Sequence, residues 1–128
     1  MATPIRLVSR RTRSTLPDMP TVGSTYVVLS DLFDDRGDAA GRGFATCSIV
    51  DVTAAGPVVA ATMVLRLADG EIHYQRVFDR FGAYPRSGTG AILGGTGAYR
   101  DVLGEVEATW PDADQVDVVI HQVAGARG

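Results

Sequence analysis

Turn residues interrupt this chain about every ten residues, and nothing between the interruptions repeats at a helical period. Asp34-Asp35-Arg36-Gly37-Asp38, Thr53 to Gly56, Ala68-Asp69-Gly70, Asp79 to Ser87, Gly94-Gly95-Thr96-Gly97 and Pro111-Asp112-Ala113-Asp114 all carry the Asp, Gly, Pro and Ser of tight turns. Between them lie runs rich in Val, Ile, Thr, Tyr and Phe, which suit a pleated surface. The runs are Ile5 to Ser9, Ser24 to Phe33, Gly43 to Val52, Pro57 to Leu67, Glu71 to Phe78, Gly90 to Leu93, Val102 to Trp110 and Gln115 to Val123. About eight short strands with even punctuation predict an all-β antiparallel barrel or sandwich. Eight strands close around packed side chains or one small ligand.

A chain of 128 residues has room for one domain with one modest core. We expect an N-terminal strand and connector over 1–21, a barrel body over 22–123 and a flexible tail over 124–128. The segment before Val22 is either a lid over the barrel mouth or disordered. Pro57 to Leu67, reading PVVAATMVLRL, is apolar on both faces. One face would line the interior, and the other needs a cover that a chain without helices cannot supply. That predicts a subunit interface and a homo-oligomer, dimer or trimer. The glycine knot Gly94-Gly95-Thr96-Gly97 reads as a corner where backbones approach closely, with Tyr99 beneath it. As a nucleotide loop it fails, since Arg100 stands where the next glycine belongs and no lysine follows.

Composition excludes several classes. Net charge is −3, so no nucleic-acid footprint exists; Arg10, Arg11 and Arg13 read as a solvated segment. The single cysteine, Cys47, cannot form an internal disulfide, which suits a reducing compartment. The basic N-terminus lacks an apolar signal core and no run is long enough to span a membrane, so a cytoplasmic protein is expected. There is no lysine for a Schiff base and no asparagine. Two histidines, His73 and His121, stand in no ligand spacing, so neither metal nor cofactor is expected.

The stretches GSTYVVLSDLFDDRGDAAGRGFATCSIVDV, LADGEIHYQRVF and AILGGTGAYRDVLGEVEA resemble the allene oxide cyclase and dirigent superfamily over roughly Gly23 to Val123. Leu32-Phe33-Asp34, Cys47 and the block Gly94 to Arg100 carry the likeness. The resemblance implies an eight-stranded, calycin-like antiparallel barrel with a ligand in its lumen, often assembled as a dimer or trimer. It also implies that the plant epoxide-opening set is broken. Pro17 stands near the family proline, Ser30 replaces an asparagine, and Val8 and Arg10 fall where acidic and amide residues belong. Tyr99 and Arg100 match the dirigent block, but Leu103 replaces its second arginine. The bacterial barrel cyclases of polyketide pathways, including Diels–Alderases, are the most similar branch, being short, cytosolic and cofactor-free.

The same resemblance sets strand parity. With Ser30 inward, Tyr26, Val28 and Leu32 follow at period two, and Cys47 brings Ala45 and Ile49. On the next pair, Val58, Ala60, Thr62, Val64 and Arg66 are placed inside with Tyr74, Arg76 and Phe78, leaving Met63, Leu65, His73 and Gln75 outside. Each polar member has a plainer reading. Cys47 is a small buried hydrophobe rather than a nucleophile. Tyr26 and Tyr74 could be core tyrosines with bonded hydroxyls. Arg66 and Arg76 are either rim side chains with heads in water or buried donors. Trp110 reads as a barrel-end plug.

The resulting expectation is a cofactor-independent cyclase or isomerase that holds a small apolar polyene or polyketide-like molecule. Arg76, Tyr74 and Ser30 would orient and polarise it. Tyr26, Val28, Leu32, Cys47, Thr62, Val64, Arg66 and Phe78 would bind it. The alternatives are a lipocalin-like carrier and a dirigent-like guide of radical coupling.

Overall fold

The computed structural model describes residues 3–123. Eight strands follow one another: β1 (Ile5–Ser14), β2 (Thr25–Phe33), β3 (Ala39–Val52), β4 (Pro57–Leu67), β5 (Gly70–Asp79), β6 (Arg86–Gly95), β7 (Gly104–Trp110) and β8 (Gln115–Gln122). Each pairs antiparallel with the next, and β1 pairs with β8, so the sheet closes into a barrel. Closure removes the edge strands that an open sheet would have to protect.

β1 is a full stave of this barrel. Leu7 pairs with Val118 and Ser9 with Leu32, so the barrel body begins at Ile5 rather than at residue 22. The connector that follows sits at one end of the barrel, where Leu16 packs against the cluster around Tyr26 and Cys47. The tail expected over 124–128 lies outside the described residues.

The up-and-down order gathers the connections 15–24, 53–56, 80–85 and 111–114 at one end, the mouth. The opposite end, the floor, is packed solid. Leu7, Leu32, Leu65, Ile72, Val106, Val118 and Ile120 meet there with Val102 beneath them. Full burial of a side chain of this size stabilises by about 1.5–3 kcal/mol. The glycine knot closes this end as a clasp. Thr96 N–H donates to the Glu71 carbonyl and Ala98 N–H to the Asp69 carbonyl, tying the knot to the β4–β5 hairpin. A short 3-10 turn (Gly97–Tyr99) then leads to β7.

The hairpin reverses the expected parity of β4. Its loop is Ala68-Asp69, with Leu67 paired to Gly70, so Arg76 stands opposite Ala61 and Tyr74 opposite Met63. Inward positions on β5 are even-numbered, and their partners on β4 are therefore odd. Val59, Ala61 and Leu65 are buried inside with Met63. Thr62, Val64 and Arg66 face outward, as do Val58 and Ala60, contrary to the sequence reading. Arg66 Nε instead donates to Glu71 Oε2 at 3.3 Å, and its guanidinium caps the outer ring of Phe44 at 5.1 Å. The outer face of β3 and β4 is thus a mixed Val, Thr, Ala and Ser surface, partly shielded by arginine stems.

Candidate functional site

The barrel is hollow only in its mouth half. Tyr26, Val28 and Ser30 of β2, Cys47 of β3, Met63 of β4 and Tyr74 and Phe78 of β5 line the hollow, with Trp110 at the end of β7. The free space is about 120 Å³. At about 10–15 Å³ per water, that holds on the order of ten waters, or a ligand segment of roughly as many heavy atoms.

Two of the hydroxyl-bearing residues lining this hollow, Ser30 and Tyr74, owe their room to a glycine across the sheet. A Cβ on Gly43 would lie 2.5 Å from Ser30 Oγ. A Cβ on Gly90 would lie 3.1 Å from Tyr74 Cδ2 and 3.3 Å from Arg76 Cβ. Burial pushes the Tyr74 phenol up to about 12, with the Arg76 charge pulling the other way. At neutral pH it is a proton-bearing donor. Burial likewise raises Tyr26 and the Cys47 thiol, so Cys47 remains a protonated, apolar lining group.

Arg76 is placed differently from the expectation. It is 5% exposed, yet it does not border the hollow. Its guanidinium lies beside two rings, 4.7 Å from the Phe78 centroid and 4.2 Å from that of Trp110. The rings themselves stack at 5.7 Å. Its Nε and Nη1 are buried without a partner. Burial lowers its pKa to about 10, so it still carries its charge at neutral pH.

Leu32 also departs from the expectation: it is 1% exposed within the floor cluster and takes no part in lining the hollow. Thr62, Val64 and Arg66 are on the outer wall. The structure brings Tyr26, Val28, Ser30, Cys47, Tyr74 and Phe78 together around one space. It adds a rim that sequence reasoning missed: Arg11, Arg80, Tyr84, Arg86 and Asp114. Arg11 Nη2 donates to Asp114 Oδ1 at 2.8 Å, an exposed pair across β1 and the β7–β8 turn. Arg86 Nη2 donates to the Tyr84 hydroxyl at 2.6 Å. One signal for the interior was readable: Gly88 and Gly90 alternate at period two beside a strand carrying Tyr74 and Arg76. Glycines so spaced mark a wall thinned for bulky neighbours.

Among the described residues, no three His, Cys, Asp or Glu side chains lie close enough to hold a metal ion. Among the same residues no helix is long and apolar enough to cross a membrane.

The allene oxide cyclase barrel like domain matches residues 6–120. The chain belongs to that family. No curated protein matches its sequence. Three of the solved structures that superpose on this chain illustrate the likeness. A pyocyanin demethylase superposes with a TM-score of 0.78 at 21% identity, over 94% of this chain and 100% of its own. AbnU, described as an exo-specific intermolecular Diels–Alderase, gives 0.73 at 18% identity, over 93% and 97%. A nonspecific heme-binding cyclase that catalyses [4 + 2] cycloaddition in neoabyssomicin biosynthesis gives 0.71 at 17%, over 100% and 68%. At such identities the likeness is one of fold.

Proposed function

We propose that this family member is a cyclase that confines a small apolar polyene or polyketide-like molecule in its mouth-side hollow and directs its ring closure without a cofactor. The observation carrying this reading is the half-filled barrel: an apolar hollow above a solid floor, with the Ser30 and Tyr74 hydroxyls among its lining. The cycloaddition catalysts among the structural neighbours support it by analogy of fold.

The physics is confinement. Holding a flexible chain with its reacting ends about 3–3.5 Å apart can remove several kcal/mol of barrier. Tyr74, protonated and buried, donates to a carbonyl whose oxygen gains charge as the ring closes; Ser30 supplies a second donor. Cys47, Val28 and Met63 shape the cavity wall and exclude water. A pericyclic closure needs neither nucleophile nor general base, so no such group is assigned.

The test is incubation of the protein with linear substrates carrying a conjugated diene and an acyl dienophile. A cyclase gives products of unchanged mass and altered connectivity, read by chromatography and NMR. Recovery of every substrate unaltered, with binding, would make the protein a carrier. Conversion only with an added one-electron oxidant would make it a guide of radical coupling. Tyr74→Phe is expected to lower kcat by about 10–100-fold while leaving the fold intact. Unchanged kcat and stereochemistry in that variant would remove the role given to Tyr74.

The homo-oligomer belongs to the same proposal. Its contact is assigned to the outer face of β3 to β5, where Val77 is 64% exposed and Val50 48%. Val77→Arg is expected to halve or third the sedimenting mass. An unchanged mass would put the contact elsewhere or show a monomer.

A further inference from the structure

The barrel wall is split at its mouth end between β5 and β6. Their ladder joins Ile72 to Gly95 and Gln75 to Ala91, but goes no further, although β5 continues to Asp79 and β6 starts at Arg86. The unpaired ends diverge around a groove of about 410 Å³, bordered by Arg76, Asp79, Arg80, Arg86 and Gly88. Phe78, Arg80, Arg86 and Trp110 border this groove and the hollow alike, so the two spaces share a wall.

Three guanidinium groups therefore meet at one seam. Among the described residues none of them forms a salt bridge; the arginines that do are Arg11, Arg36, Arg42 and Arg66. The groove has one carboxylate, the exposed Asp79, which is likewise unpaired. Arg76 is the least explicable of the three as a structural element. Its guanidinium packs beside the stacked Phe78 and Trp110 rings, and Nε and Nη1 find no acceptor. Rings attract the cation through their faces but accept none of its in-plane N–H bonds. A buried charge left in that state costs free energy unless something pairs with it. The edge carrying Nη2 turns towards Gly88, where a Cβ would come within 2.6 Å of that nitrogen. The glycine thus leaves open the approach that an in-plane acceptor would take.

We propose that this seam is the site for an acidic group, a carboxylate or enolate oxygen, at one end of the molecule whose apolar body occupies the hollow. The proposal rests on the cyclase reading for that molecule and narrows its class to acids. Planar oxyanions suit an arginine already packed against aromatic rings, because they bind along the guanidinium edge. Arg80 and Arg86 add charge at the shared wall, which attracts an acid to the mouth before it is seated.

Octanoate and octanol separate charge from chain, since they share an apolar body and differ at the end group. Binding is followed by calorimetry and by Trp110 fluorescence, Trp110 being the sole tryptophan. Octanoate is expected to bind at least ten-fold more tightly than octanol. Acetate, the charge without the chain, is expected to compete only at far higher concentration. Arg76→Met should abolish the preference for acid while leaving octanol affinity within about two-fold. Gly88→Ala keeps the charge but displaces the guanidinium edge, and should cut the acid preference three-fold or more. Equal binding of acid and alcohol, or a preference that survives Arg76→Met, overturns the acidic site and leaves the hollow's role intact. Failure of both to bind overturns both readings together.

Discussion

Arg76→Met is expected to yield a more stable protein that has lost most of its activity. The guanidinium has two buried N–H-bearing nitrogens without acceptors, each costing about 1–3 kcal/mol. Contact with the Phe78 and Trp110 rings returns about 0.5–2 kcal/mol apiece. Methionine fills a similar volume and keeps favourable contact with both rings. The net gain is about 1–2 kcal/mol, a rise in Tm of roughly 3–8 °C for a domain of this size. The pH dependence of that gain follows from the lowered pKa of about 10. A cation whose pKa falls on folding destabilises the fold wherever it is protonated in both states. Here that means below about 10, so the gain should be flat across the neutral range and shrink in strong alkali. Activity moves the other way. Losing a charge-assisted contact to the substrate costs about 1.5–3 kcal/mol, or roughly 10–100-fold in kcat/KM. Thermal unfolding and steady-state kinetics on one preparation check both halves. A destabilisation beyond about 1 kcal/mol would instead make Arg76 a strut of the barrel wall.

Gly95→Ala is expected to be strongly destabilising through close approach alone, since its backbone conformation is open to any residue. A Cβ there would collide with the Tyr99 carbonyl oxygen and lie 2.6 Å from that of Glu71. Both obstacles are backbone, and Glu71 O already accepts the Thr96 N–H that clasps the knot to the hairpin. Neither can swing aside as a side-chain tip would. Forcing the clasp open should cost on the order of 2–4 kcal/mol, in the range of overpacking a tight core, or roughly 6–16 °C in Tm. Gly94→Ala is the control. Its added Cβ meets nothing within 4 Å, and only its φ of +155° opposes the change. It should cost about 1–2 kcal/mol, the strain of a non-glycine residue at that φ. Equal losses in the two variants would show that the knot works through backbone conformation and not through close approach.

Much of the architecture was legible because turns announce themselves locally. Asp-Gly at Asp69-Gly70 and the glycine knot mark their corners by residue type, and eight segments between such corners leave few alternatives to a closed sheet. Alternation within a strand was equally legible. The set Tyr26, Val28, Ser30 on β2 and the set Tyr74, Phe78 on β5 each come together around the hollow. β4 defeated the same reasoning. Pro57 to Leu67 is apolar at odd and even positions alike, so its own residues do not say which set is inside. The two-residue loop decides it, by pairing Leu67 with Gly70 and thereby placing Met63 opposite Tyr74.

What the order of residues settled alone was the number of staves, their antiparallel succession and the greasy character of the interior, since each depends on neighbours a few positions apart. What only the folded molecule decided was register, filling and orientation. The floor is solid because Leu32, Leu65, Ile72 and Val118 arrive there from four different strands. The seam opens because β5 and β6 stop pairing after Gln75. Arg76 stays clear of the hollow because its guanidinium packs beside the stacked pair of Phe78 and Trp110, which are far apart along the chain. These are contacts between distant segments, and their energies appear only once the barrel has closed.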